Sequence, residues 1–111
     1  MGHIAHHAIV VTSWNEKDAN EAHAKAVELK CNPSPIMVSD VNSYRSFLIP
    51  SDGSKSGWPD SSDGDERRRL FKEWTKTKRH DDGSSPLEWC EVMYGADDKN
   101  VTVTDSEWGD A

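Results

Sequence analysis

At 111 residues and 12.4 kDa the chain is one domain by size, and a multi-domain enzyme with more than one core of useful depth is excluded. Leu, Ile, Val and Phe number only 18, close to the disorder range, yet a net charge of -7 and five Trp residues favour a folded domain with a small, aromatic-weighted core. The longest strongly apolar run, Ala8 to Val11, is too short to cross a bilayer, and no signal-peptide pattern opens the chain. A cytoplasmic, membrane-free setting is expected. Two distant cysteines, Cys31 and Cys90, make no disulfide framework and point to the same reducing compartment.

Met1-Gly2-His3 reads equally as native sequence and as a cloning leader, so residues 1–5 are set aside. The β-branched run from Ala8 to Thr12 predicts a central strand covered on both faces. Ser13, three residues before Glu16, predicts a capping box, and a helix should follow to about Lys30. Its Ala19, Ala22, His23, Ala26 and Leu29 share one side. Asn32-Pro33-Ser34-Pro35 breaks that helix. Ile36–Val41 and Tyr44–Ile49 then predict two strands, or one strand bent near Asn42.

Residues 51–65 are rich in Ser, Asp, Gly and Pro and predict a long polar loop carrying Trp58 between Gly57 and Pro59. A second helix is expected from the Asp63-Gly64-Asp65-Glu66 stretch to about His80, with Leu70, Phe71, Trp74 and Thr77 inward. Leu87–Tyr94 and Val101–Thr104 predict a hairpin, and residues 106–111 an acidic tail. Trp14, Trp74 and Trp89 are assigned to the core and Trp108 to the tail. The order β-α-β-β-α-β-β predicts an α+β open-faced sandwich with a largely antiparallel sheet of four or five strands. Both helices should lie on one face, in the split βαβ or ferredoxin-like manner.

No pattern names a reaction. There is no GxSxG elbow, Walker loop, dinucleotide fingerprint or EF-hand, and His3, His6, His7, His23 and His80 lack metal-site spacing. No catalytic residue, metal or cofactor is therefore expected. Acidity is concentrated late: residues 1–55 carry -1 and residues 56–111 carry -6. Against that background Arg68, Arg69, Lys72, Lys76 and Arg79 gather on one arc of the second helix. That arc can face solvent, phosphates, an acidic partner or the protein's own acidic loops.

The stretch Ser46 to Trp74, with its Pro-Ser-Asp-Gly-Ser-Lys-Ser-Gly-Trp-Pro-Asp core, and the later Pro86-Leu-Glu-Trp-Cys-Glu-Val-Met-Tyr-Gly, together resemble small proteins of unassigned activity from bacteria and their phages. The resemblance implies an accessory protein and carries no residue role. The expected function is a non-catalytic accessory or regulatory module acting by protein–protein contact, with Trp58 and the five cations as binding residues. Nucleic-acid binding through the same cations is the second reading, and a small enzyme the third.

Overall fold

The computed structural model describes residues 5–53, 59–95 and 101–109. The elements are β1 (His6–Ser13), α1 (Glu16–Glu28), β2 (Met37–Val38), β3 (Arg45–Ile49), α2 (Pro59–Thr75), β4 (Glu88–Tyr94) and β5 (Thr102–Ser106). They form one five-stranded antiparallel sheet in the order β2-β3-β1-β4-β5. The expected α+β fold is present: β3 lies between β1 and β2, and β1 lies between β3 and β4, giving two interlocked split β-α-β units with β5 added at one edge. Among the described residues no helix is long and apolar enough to cross a membrane.

Side chains alternate across the sheet, so the register sorts them by face. Ile9 and Val11 of β1 lie opposite Ile49 and Phe47 of β3, and Val11 opposite Trp89 of β4. These residues form the buried core of the described residues with Ala22 and Ala26 of α1, Phe71 of α2, Cys31 and Leu87. Alanines on α1 let its backbone approach the sheet closely. Phe47 and Phe71 meet edge to face at 6.4 Å, and Trp74, partly buried, packs 6.0 Å from Phe71. Lys78 sits 5.2 Å over the Trp74 ring and reaches Glu21 at 3.3 Å, tying the end of α2 to α1.

Local chemistry shifts several boundaries. Asn15, not Ser13, caps α1: its Oδ1 accepts from the backbone N–H groups of Lys17 and Asp18. Ser13 is buried instead, donating from Oγ to the Pro86 carbonyl and accepting from the Asn15 N–H. The helix ends at Glu28, not Lys30, because Lys30 turns left-handed (φ 63) and the Cys31 N–H bonds back to the Ala26 carbonyl. The strand expected over Ile36–Val41 shrinks to two residues; Asn42 (φ 62) and Ser43 (φ 53) turn the chain into β3.

The second helix begins earlier than expected, with Pro59 at its first position where the missing N–H costs nothing. The polar loop is thus shorter than residues 51–65. The helix also stops at Thr75, five residues before His80. There the hydroxyls of Thr75 and Thr77 donate to the Lys72 and Trp74 carbonyls, and tighter i→i+3 backbone bonds replace the α-helical ladder. The last strand runs to Ser106, and Glu107 is held by Trp89 and Arg79, so the tail is anchored one residue beyond the sheet. Trp14, expected in the core, is 62% exposed; Trp89 is buried, and Trp108 is exposed as expected.

Candidate functional site

The cations of the second helix do not form a free basic surface. Arg68 is 6% exposed and points into the protein, together with Phe71 and Thr75. Its guanidinium bonds Asp65, lies 3.4 Å from Asp52 and 3.7 Å from Glu91. Lys72 Nζ reaches Glu91 at 3.1 Å and Asp105 at 3.2 Å. Glu91, itself buried on β4, also accepts from the Thr104 hydroxyl at 2.8 Å. The remaining three are matched as well: Arg69 with Glu66 at 2.6 Å, Lys76 with Glu73 at 3.7 Å and Arg79 with Glu107 at 3.0 Å. The Arg69 hydrogen bonds hold the Glu66 carboxyl below its ordinary range, and in return raise the already high Arg69 value.

This corrects the expected helix orientation. Two stripes were available on the wheel, Leu70-Phe71-Trp74-Thr77 and Arg68-Phe71-Lys72-Thr75. Hydropathy favours the first, yet Leu70 is 39% exposed and Thr75 fully buried. Glu91 decides between them, because it projects from β4 toward α2, and a buried carboxylate requires cationic and hydroxyl partners. Lys76 and Arg79 lie past the end of the helix. Trp58, the other expected binding residue, lies outside the described residues.

Beneath the C-terminal end of α1 is a cleft of about 250 Å³ lined by Lys30, Cys31, Asn32, Ser51, Asp52, Gly64 and Arg67, among others. A Cβ at Gly64 would lie 1.7 Å from a carboxylate oxygen of Asp52, so any larger residue there would push that carboxylate aside. Cys31 is buried with its thiol 3.6 Å from the Arg67 carbonyl; burial pushes its pKa up, outweighing the opposite pull of Arg67 and Arg68. The thiol is enclosed and kept protonated by burial, and none of the described lining residues is a histidine. Among the described residues no three His, Cys, Asp or Glu side chains are grouped to hold a metal ion.

The largest unexpected feature is on the other side of the sheet. Among the described residues both helices lie on the face of Ile9 and Val11; on the opposite face, that of His6, Ala8, Val10 and Thr12, Val10 is 42% exposed while Ala8 is buried at 4%. Val10 stands between Leu48 of β3 and Cys90 of β4 in register, with Val92 opposite both Ala8 and Val103. Met37 lies outside Ser46, and Tyr94 packs against His6 with ring centres 5.3 Å apart. Met37, Val10, Leu48, Tyr94 and Val103 are 39–69% exposed. The Ala8–Thr12 strand is central as expected, but on the face away from the helices its Val10 is 42% exposed. Continuous apolar residues suggested two covered faces, although two helices on one side of a five-stranded sheet leave no helix among the described residues to cover the second. That conflict was the available signal.

No known protein family, curated protein or solved structure matches the chain.

Proposed function

We propose that this protein is a non-catalytic accessory or regulatory module, of the bacteriophage or mobile-element kind its sequence resembles, acting by protein–protein contact through the uncovered face of its sheet. One observation carries the reading: Val10, Leu48, Val92 and Val103 occupy positions where a solvated antiparallel face ordinarily carries polar side chains. Contiguous exposed apolar patches of a few hundred Å² are often functional on monomers, and covering one contributes about 25 cal/mol per Å² gross, before the cost of association.

Nucleic-acid binding through the second helix has less support. A phosphate would have to displace a carboxylate from each of Arg68, Arg69, Lys72, Lys76 and Arg79, and Arg68 is buried.

Affinity capture with the full chain, nuclease treatment and a salt titration tests the reading. A protein retained after nuclease and at about 0.5 M salt, and lost when Val10→Lys is used as bait, is the expected outcome, because apolar contacts are weakly screened. Recovery of nucleic acid alone, or capture indifferent to Val10→Lys, overturns it.

A further inference from the structure

We infer that the partner of the uncovered sheet face is a second copy of this chain, packed sheet against sheet in a two-fold dimer; the inference rests on the proposed contact function and names its partner.

Charge comes first. The chain carries -7 overall, yet among the described strand residues Glu88, at the start of β4, is the one ionisable acid or base other than His6, Cys90 and Tyr94 that the register places on this face. The acids that hold Arg68 and Lys72, by contrast, are engaged on the helix side of the sheet. A partner offering charges of either sign would bury them against Val10, Leu48 and Val92 with nothing to pair them. A flat, apolar and nearly uncharged counterpart is required, and the same face of another copy has those properties. Repulsion between two acidic chains then acts from the periphery through solvent, where it is screened beyond roughly 8 Å at physiological ionic strength.

Register supplies the symmetry. β1 is the middle strand of five, and Val10 has Leu48 on one side and Cys90 on the other. A two-fold axis along β1 places Val10 over Val10 and Leu48 of each copy over Cys90 of the other, so the patch complements itself. The aligned sheets would cross at less than about 30°, with some 10 Å between them. Helices would cover both outer faces, giving four layers. Four strands of five to eight residues and the two-residue β2, at about 3.3 Å per residue and about 4.8 Å apart, give a footprint of roughly 400 Å² per copy. The accessible area of a corrugated face is larger, so the contact falls near the lower end of specific interfaces, about 600 Å² per partner. A dimer with micromolar dissociation constant is the expectation, not a permanent one.

Sedimentation velocity of the purified full chain from about 1 to about 300 μM brackets that range. The mass should climb from the 12.4 kDa of one chain toward twice that value, and Val10→Lys and Leu48→Lys should each weaken association at least tenfold with unchanged far-UV circular dichroism. Alkylation of Cys90 in the unsubstituted chain, a half-buried thiol that the dimer would cover, should slow as concentration rises. This readout needs no variant to fold. A single-chain mass at every concentration overturns the inference, as does a dimer that both substitutions leave intact. A monomer whose capture of another protein is lost with Val10→Lys refutes the dimer alone; capture unaffected by Val10→Lys refutes the contact reading as well.

Discussion

Replacing Glu91 by Gln keeps the shape of the side chain at the centre of the charge network and removes its charge. Both Glu91 and Arg68 have side chains 8% exposed, and Lys72 is 18% exposed, so the lost attraction is poorly screened. Removing one partner of a buried pair outright costs about 3–5 kcal/mol, but here the cations are not abandoned. Arg68 keeps Asp65 and Asp52, Lys72 keeps Asp105, and the Gln carbonyl can still accept from Thr104. Partial compensation places the expected cost at about 2 kcal/mol, well above the ~0–1 kcal/mol of an exposed pair. Asp65→Asn is the internal control: its carboxylate is 65% exposed, and the cost should stay below about 0.5 kcal/mol. Urea unfolding followed by Trp fluorescence measures both, with an unchanged m-value required for the comparison. If Glu91→Gln falls within about 0.5 kcal/mol of the unsubstituted chain, or Asp65→Asn costs as much, the network does not orient α2 as argued.

Phe71→Ala should cost about 3–5 kcal/mol, because the ring is fully buried between the sheet and the helices; calorimetry would show it. Asn15→Ala should cost about 1 kcal/mol by leaving the Lys17 and Asp18 N–H groups uncapped, and Asn15→Ser should restore most of it. Cys31 should resist alkylation in the folded chain while the denatured chain reacts readily. Since its pKa is raised on folding, the stabilisation from keeping it neutral is complete below the unfolded value. It is lost as pH rises through the folded value, so urea midpoints should fall between about pH 8 and pH 10 less steeply in Cys31→Ala than in the unsubstituted chain.

Element order was readable along the chain. Short β-branched and aromatic runs around Val10, Phe47 and Trp89, a 3.6-residue pattern through Ala22 and Ala26, and the Pro33–Pro35 break depend on neighbours a few residues apart, which is the range over which backbone geometry acts. Together they require an α+β sheet with β1 near its middle. Which side of α2 faces inward was not readable. Arg68 and Lys72 meet Glu91, more than eighteen residues away, only because β4 pairs with β1 and directs that carboxylate at the helix. A helical wheel carries no term for a charge arriving from a distant strand. The exposure of Val10 and Leu48 has the same origin: their residue types declare that they should be covered, whereas the placement of both helices on the opposite face leaves them 42% and 39% exposed.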